Sequence, residues 1–203
     1  MRLFFHYCSH GFSNCYVLGT DTSPGEAIII DPANMDLVLL RIIEDNNYTL
    51  KGVLITHDHS HHVRGLKTIM KIYNTDIYAI NPQVGEYHTT IVKDGVPVNI
   101  GPFMTEVFSI PGHSADSAIY KIGRFLFTGD AISAGLTGKT ASSYAIANEV
   151  NALRKKILSL PGDYIVLPGH GPPSSLEAER RFNIDLNSFE QQKNKRPVFR
   201  FEF

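Results

Sequence analysis

Short apolar runs alternate along this chain with stretches whose apolar residues recur at helical spacing. Residues 26–30 (EAIII) and 52–55 (GVLI) are continuous apolar runs bounded by turn-forming residues, which is typical of buried strands. Between them, residues 36–45 place leucines and isoleucines on one side of a helix. The order strand, helix, strand predicts a fold of the α/β class.

The same pattern predicts further elements in the rest of the chain. Helices are expected at residues 66–73 and 148–158. Strands are expected at residues 76–80, 107–110, 118–122, 124–127 and 164–167. Four of the predicted strands end in polar clusters, with the sequences LITHDHSHH, FSIPGHS, FLFTGDA and IVLPGHG. Because loops at strand ends are held by a rigid scaffold, these clusters are expected to converge on one site.

The first polar cluster, Thr56 to His62, places four histidines and one aspartate within seven residues. His57 and His59 alternate along an extended chain and therefore point to the same side, whereas His61 and His62 lie where the next helix begins. Imidazole is the commonest metal ligand near neutral pH, and clusters of histidine with aspartate are typical of metal sites. The candidate ligands in the strand-end loops are His57, His59, His61, His62, His113 and His170.

One metal ion cannot easily bind six imidazoles, but two adjacent ions can. Asp130, in the FTGD cluster, is a candidate bridge, because a carboxylate can give one oxygen to each ion. His10, beside Gly11, could reach the mouth of such a site, with a surface or structural role as the alternative. The sequence therefore predicts two metal ions held by histidines and one aspartate.

These motifs resemble those of the metallo-β-lactamase superfamily. Its pattern is His-x-His-x-Asp-His after a strand, then a lone His, a Gly-Asp pair and a final His, and the four motifs follow in that order between about Asn14 and Phe182. The resemblance implies an αββα sandwich. It also implies that Asp31 contacts the metal ligands and supports them without binding a metal itself. It also implies that metal 1 is bound by His57, His59 and His113, and metal 2 by His62 and His170, with Asp130 between them.

Position 61 departs from the family pattern, because this chain has His61 where the family has aspartate. In hydrolases of the superfamily that aspartate ligates metal 2. A neutral imidazole can ligate the same ion, but it changes the charge and the hydrogen bonding around it. Alternatively, His61 swings away, which leaves metal 2 weakly bound and the protein mononuclear, inactive or a simple binding module.

A nitrogen-rich site of this kind suits iron and dioxygen. The chain resembles the flavodiiron branch of the superfamily, and within it the oxygen-binding diiron proteins that are partners of cytoplasmic chemotaxis receptors. This resemblance implies a non-heme diiron protein that binds dioxygen and acts as an oxygen, iron or redox sensor. A chemotaxis receptor or kinase complex is then a possible partner.

A zinc-dependent hydrolase is the alternative function. The segments NCYVLG, PGHSADS and LPGHGPPSSLEAERRFN are similar to those of glyoxalase II-like proteins. Glyoxalase II has an added helical domain that holds glutathione, whereas only about 30 residues follow His170 here. The expected substrate is therefore another thioester, a lactone or a phosphoester. Zinc, iron and manganese all accept these ligands, so the residues alone do not choose the metal.

Composition bounds the organisation of the chain. Its 203 residues suit one domain spanning 1–203, and a hydrophobic content of 43% argues against disorder. The net charge of -1 indicates no nucleic-acid partner, and the lack of a long apolar run predicts no membrane insertion and a cytoplasmic location. Cys8 and Cys15 are predicted to be buried free thiols.

The tail from about residue 190 to 203 alternates phenylalanine with charged residues. This alternation predicts a half-buried strand. Such an apolar stripe docks on its own domain, on a second copy in a homodimer, or on a signalling partner.

Overall fold

The computed structural model describes residues 1–188, so the predicted strand in the tail lies outside the described residues. The strands are β1 (Arg2–Cys8), β2 (Ser13–Gly19), β3 (Gly25–Ile30), β4 (Tyr48–Leu54), β5 (Ile77–Ala79), β6 (Gln83–Val84), β7 (Tyr87–His88), β8 (Thr90–Ile91), β9 (Val98–Ile100), β10 (Phe103–Ser109), β11 (Ala118–Ile122), β12 (Phe125–Gly129), β13 (Ile132–Ser133), β14 (Leu136–Thr137), β15 (Ile165–Pro168) and β16 (Ser174–Ser175). The helices are α1 (Leu37–Glu44), α2 (Ser60–Val63), α3 (Leu66–Ile72), α4 (Ser143–Leu153) and α5 (Leu176–Phe182), and a π-helical turn, Arg154–Leu158, continues α4.

Two six-stranded sheets form the centre of the molecule. The first has the order β1-β2-β3-β4-β5-β8, and the second has the order β16-β15-β12-β11-β10-β9. In the first sheet β3, β4, β5 and β8 run parallel, and in the second β12 and β15 do. Both sheets therefore bring the carboxyl ends of several strands to one edge, where loop side chains can meet.

Three hydrophobic clusters separate the layers. Strand β3 shows how they form, since Ile28 and Ile30 face the second sheet while Ala27 and Ile29 face helices α1 and α3. On the far side of the second sheet, Leu126 and Val166 pack against helix α4. The strands are buried on both faces, which explains their continuous apolar runs. The order helices, sheet, sheet, helices is the expected αββα sandwich, and that prediction is confirmed.

The predicted elements agree with the structure except at their ends. Strand 118–122 has the predicted bounds, but β4 begins at Tyr48 rather than at residue 52, and α4 begins at Ser143 rather than at residue 148. Polar residues at these starts interrupt the apolar pattern, so the pattern hides them. The side chain of Ser142 accepts a hydrogen bond from Ala145 N at 3.1 Å and so caps α4 five residues earlier than predicted.

The two strands at the amino terminus, β1 at the edge of the first sheet and β2 beside it, were not predicted. On β1 the exposed residues Phe5 and Tyr7 alternate with the buried residues His6 and Cys8, so no continuous apolar run marks the strand. The prediction for the cysteines is confirmed, since both thiols are buried and unpaired. None of the helices within residues 1–188 is long and apolar enough to cross a membrane.

Candidate metal centre

The candidate ligands lie at one edge of the two sheets. The chain leaves β4 toward His57, leaves β12 at Asp130 and leaves β15 toward His170, while His113 follows β10. Strand β2 adds support from its first residues, because Asn14 N donates to Gly169 O at 2.7 Å. The four polar clusters of the sequence thus come together as expected from their positions at strand ends.

The two carboxylate oxygens of Asp130 face different groups of histidines. Oδ2 lies 3.9 Å from His57 Nε2 and 3.6 Å from His113 Nε2. Oδ1 lies 3.6 Å from His62 Nε2 and 2.7 Å from His170 Nδ1. One oxygen on each side is the arrangement that a carboxylate shared by two ions requires.

A buried hydrogen-bond network fixes which ring nitrogen of His57 and of His62 faces the site. Thr56 Oγ1 donates to Asp31 Oδ2 at 2.6 Å, so it can only accept from His57 Nδ1, 3.0 Å away. His62 Nδ1 donates to the same Asp31 oxygen at 3.2 Å. Nδ1 of each ring therefore carries a proton, and Nε2 is the nitrogen that faces the site. Asp31 is the supporting residue that the resemblance implies, whereas no sequence pattern indicates the role of Thr56.

The electrostatics of the centre follow from this burial. Burial lowers the pKa of His57 to about 3, with the neighbouring His62 acting in the same direction. Burial alone would lower the pKa of His62 too, but the charge of Asp31, the nearby carboxylate of Asp130 and the hydrogen bond to Asp31 raise it to about 9. Burial also opposes ionisation of Asp130, yet its contacts with His170 and His62 hold the pKa of that carboxyl well below its usual range. The ionised carboxylate of Asp130 thus lies among the histidines, where it can bind a cation.

Two groups of residues have the geometry of metal sites. The first is His57, His59 and His113, and the second is His57, His62 and Asp130; within each group the ligand atoms lie within 4.8 Å of one another. His59 Nδ1 is 3.1 Å from His113 Nε2. Two nitrogens each about 2.1 Å from one ion lie roughly 3.0 to 3.4 Å apart, so this spacing fits a shared metal.

Unpartnered nitrogens test whether the residues fit metal ions. Nε2 of His57 and Nε2 of His62 are buried and have no hydrogen-bond partner among the described residues. Buried polar atoms are rarely left without a partner. His113 Nδ1 donates to Lys139 O at 2.9 Å, which likewise leaves Nε2 free for a metal. The donor set therefore fits two metal ions.

His170 is held by the backbone of Gly11, and its own loop is held by the side chain of Asn14. Its Nε2 donates to Gly11 O at 3.1 Å, so Nδ1 faces Asp130. A proton or a metal ion must lie between those two atoms. Asn14 Nδ2 donates to Pro168 O at 2.9 Å and to Gly171 O at 2.7 Å, and thereby fixes the loop on both sides of His170.

His61 lies at the rim of the centre and belongs to neither three-residue group. Its side chain is exposed, and its ring centroid lies 5.9 Å from that of His170, with the two planes at 83°. It also lines an open cavity of about 440 Å³ whose walls include Asp130, His113, His170 and residues 136–139. His61 thus shares the wall of this cavity with His113, Asp130 and His170, at the place where a ligand can enter.

Glu149 is a further residue of the centre that sequence reasoning missed. It is fully buried on α4, and its Oε1 accepts from His113 N at 3.2 Å. Burial raises its pKa to about 8, although the bond from His113 acts against this. An acidic residue on the buried side of a predicted helix is the signal that could have identified it.

Comparisons with known proteins agree with this geometry. The family model for the metallo-beta-lactamase superfamily matches residues 9–170. The hydroxyacylglutathione hydrolase of Francisella tularensis is 36% identical over 148 residues, which cover 71% of this chain and 58% of that protein. This chain therefore spans little more than half of that relative.

Two solved structures show the same fold. The crystal structure of ETHE1 from Myxococcus xanthus has a TM-score of 0.81 at 23% identity, covering 98% of this chain and 93% of that one. TTHA1623, solved in a di-iron-bound form, has a TM-score of 0.73 at 22% identity, covering 89% and 98%. The match of the family model over most of the chain, together with the histidines gathered around Asp130, establishes that this protein belongs to the metallo-beta-lactamase superfamily.

Proposed function

We propose that this protein holds two metal ions, with iron the favoured metal, and binds dioxygen at them as an oxygen or redox sensor. The observation that carries the proposal is the imidazole of His61 at the rim of the second metal position. It replaces a carboxylate in the family pattern, and so it gives the centre six imidazoles and a single bridging carboxylate. Nitrogen-rich sites of this kind suit iron.

The charge of the donor set supports the same function. With neutral imidazole at position 61, the donor set has one negative charge fewer than it would have with aspartate there. Position 61 then offers no carboxylate to orient a metal-bound water for attack, which disfavours hydrolysis relative to the binding of a small ligand. The buried pair Asp31 and Thr56 holds the Nδ1 protons of His57 and His62 in place, which leaves Nε2 of each ring as the nitrogen for a metal.

The proposed ligands form two sets, one for each metal. His57, His59 and His113 would hold the first metal, and His62, His170 and His61 the second, with Asp130 between them. When bound, iron supplies reversible electron transfer toward dioxygen, whereas zinc supplies a Lewis acid. The cavity of about 440 Å³ beside His61 gives a diatomic molecule direct access. TTHA1623 supports the choice of iron in one respect, since a protein of this fold has been solved with two irons.

Reversible binding of dioxygen tests the proposal. The protein is loaded with ferrous iron without oxygen, its iron content is measured, and optical spectra are recorded before dioxygen is added, after it is added, and after it is removed under argon. We expect about two irons per chain and a spectral change that reverses when dioxygen is removed. His61→Asp should retain both irons and lose the reversibility.

The matched control is His88→Asp, which makes the same chemical change at an exposed position on β7. It should behave as the wild type does. A site that takes up zinc in preference to iron, or an iron-loaded protein whose spectrum ignores dioxygen, would refute the proposal.

A zinc-dependent hydrolase is the second candidate function. The observation that favours it is the 36% identity to the hydroxyacylglutathione hydrolase of Francisella tularensis. Zinc-loaded protein is offered a glutathione thioester, a simpler thioester, a lactone and a phosphoester. Hydrolysis of one of them by the wild type, lost in His113→Ala, would select this function. If His61→Asp alone hydrolyses them, the imidazole is what separates this chain from a hydrolase.

The signalling part of the proposal includes a cytoplasmic location and a chemotaxis receptor or kinase complex as partner. A sensor must present a different surface, or a different oligomeric state, when its ligand is bound. Light scattering of the iron-loaded protein with and without dioxygen measures the oligomeric state, and a purified receptor–kinase complex added under the same two conditions measures the interaction. Equal binding with and without dioxygen would argue against sensing.

A further inference from the structure

Two separate loops supply the three residues that would bind the first metal. His57 and His59 lie in the loop that follows β4, whereas His113 lies in the loop that joins β10 to β11. His59 and His113 are 54 positions apart in the sequence. Functional side chains must be held within about 0.5 Å of the geometry that they need. The relative position of the two loops therefore decides how well the first metal is bound.

One side-chain hydrogen bond joins the two loops beside these ligands. Asp116 Oδ2 accepts from Asp58 N at 2.9 Å. Asp58 is the residue between His57 and His59, so the bond holds the stretch of backbone from which both imidazoles project. Asp116 belongs to the same loop as His113, three positions further along. The bond thus connects the backbone of one ligand loop to a side chain of the other.

The remaining contacts between the two loops leave this task to Asp116. At their base, Ala118 N donates to Thr56 O at 2.8 Å, one residue before the first ligand. Beyond that base, the other contact within residues 1–188 is the 3.1 Å approach of His59 Nδ1 to His113 Nε2. A shared metal ion would replace that approach. In the metal-free protein, the bond from Asp58 N to Asp116 is therefore what fixes the loops at the level of the ligands.

The carboxylate of Asp58 is held as well. Its Oδ2 accepts from Gly85 N at 2.9 Å, at the turn between β6 and β7. Asp58 is thus fixed both at its N–H and at its side chain. Within the described residues, neither Asp58 nor Asp116 belongs to a group that has the geometry of a metal site. Both carboxylates therefore act by holding backbone N–H groups rather than as ligands.

Two serines close the turn that carries Asp116. Ser114 N donates to Ser117 Oγ at 3.2 Å, and the two hydroxyl oxygens are 2.8 Å apart. Asp116 lies between these residues and is half-buried. Since the turn is held by its own hydrogen bonds, Asp116 is presented to Asp58 from a fixed backbone.

We propose that Asp116 is a positioning residue for the first metal, because its bond with Asp58 N sets the distance between the histidine pair of one loop and His113 of the other. The inference rests on the two-metal part of the proposed function and is independent of dioxygen. It assigns to one residue outside the donor set the affinity of one metal position. The second position, built around His62 and His170, should not depend on this bond.

Variants that keep a single metal position allow each affinity to be measured alone. His170→Ala should leave the first position intact, and His59→Ala should leave the second. Cobalt(II) alone is the probe, since its visible absorption reports binding, and competition with a chelator gives the dissociation constant. Asp116→Ala is then added to each of the two variants.

The expected effect is confined to the first position. In the His170→Ala protein, Asp116→Ala should weaken cobalt binding about 10- to 100-fold, as expected for loss of a contact that orients metal ligands. In the His59→Ala protein, it should leave the affinity unchanged. Asp116→Asn keeps an oxygen acceptor for Asp58 N and should recover most of the affinity.

Asp163→Ala is the matched control. Asp163 is also an exposed-loop aspartate that accepts from the backbone of another segment, since its Oδ1 lies 2.9 Å from Glu177 N. It precedes β15, at the opposite end of that strand from His170. Asp163→Ala should change neither cobalt affinity.

Amide hydrogen exchange of the metal-free protein tests the bond itself. A hydrogen-bonded amide is protected from exchange, so the amide of Asp58 should exchange faster in Asp116→Ala than in the wild type or in Asp163→Ala. Equal exchange rates in the three proteins would overturn the inference.

The cobalt titrations contain further results that would overturn it. Equal weakening of both positions would show that Asp116→Ala loosens the fold in general. An Asp116→Asn protein as weak as Asp116→Ala would assign the effect to charge rather than to positioning. If the wild type takes up fewer than two cobalt ions, the two-metal assignment fails and the inference fails with it. If it takes up two and Asp116→Ala leaves the first affinity unchanged, only the role of Asp116 is refuted.

Discussion

Thr56 offers the sharpest single perturbation of the metal centre. Its hydroxyl accepts from His57 Nδ1 at 3.0 Å and donates to Asp31 Oδ2 at 2.6 Å, and the side chain is 1% exposed. Thr56→Ala removes both bonds. Thr56→Ser loses the same methyl group and keeps the hydroxyl, so the difference between the two variants isolates the hydroxyl.

The magnitude follows from the two bonds. The one to the ionised Asp31 contributes about 1.5 to 3 kcal/mol, and the one from the neutral imidazole of His57 contributes about 1 kcal/mol. The metal-free protein should therefore be about 2 to 4 kcal/mol less stable with alanine than with serine. Without the hydroxyl, the proton of His57 is free to move to Nε2, and metal affinity should fall about 10- to 100-fold.

Urea denaturation of the metal-free proteins measures the stability, and competition with a chelator measures the metal affinity. Both experiments compare Thr56→Ala with Thr56→Ser. If the two variants bind metal equally well, the hydroxyl does not orient His57. If serine is as damaging as alanine, the loss comes from packing of the methyl group rather than from the hydrogen bonds.

Three further predictions concern protons and packing. Protonated His62, with its pKa raised to about 9, stabilises the metal-free fold below pH 6.5, and this stabilisation is lost as the pH rises through 9. Metal binding at pH 7 should therefore release about one proton at this site. Calorimetry in two buffers of different ionisation enthalpy measures that proton release. For Glu149, whose pKa is raised to about 8, the neutral form stabilises the metal-free fold below about pH 4.5, and this stabilisation is lost as the pH rises through 8. The free energy of unfolding of Glu149→Gln should not show this decrease, which amounts to about 2 to 5 kcal/mol in urea denaturation of the wild type at pH 9. The same pH profile in the variant and the wild type would contradict this prediction. Leu153 is fully buried under the second sheet, so Leu153→Ala should lower the free energy of unfolding by about 2 to 5 kcal/mol and retain the metal content. A smaller decrease would show that this helix is loosely packed.

The fold was accessible from the sequence because its central strands are buried on both faces. Residues 27–30 and 53–55 are apolar throughout, and each run ends directly before residues of the metal centre. The edge strand β1 was not accessible, because alternation of Phe5 and Tyr7 with buried residues interrupts the apolar run. Short hairpins such as β13 and β14, two residues each, are held by tertiary contacts and leave no periodic pattern.

The types of residue that bind the metals could be predicted from the sequence for a different reason. Histidines beside Gly, Pro or Ser at the ends of predicted strands indicate a metal site, and the structure brings His57, His59 and His113 into one group. Hydrogen bonds between residues far apart in the sequence could not be predicted. Asp31 and Thr56 are 25 positions apart, and Arg64 and His10 are 54 apart. No spacing in the sequence signals which ring nitrogen such a contact leaves free.

The position of His61 relative to the second metal is the central claim of this account. Crystals of the iron-loaded protein, measured on both sides of the iron absorption edge, would locate the metals and their ligands directly. We expect two anomalous peaks on either side of the Asp130 carboxylate, with a ring nitrogen of His61 bound to the metal that His170 also holds. A single peak, or two peaks with His61 still lying against His10 and Gly11 and bound to neither, would contradict it.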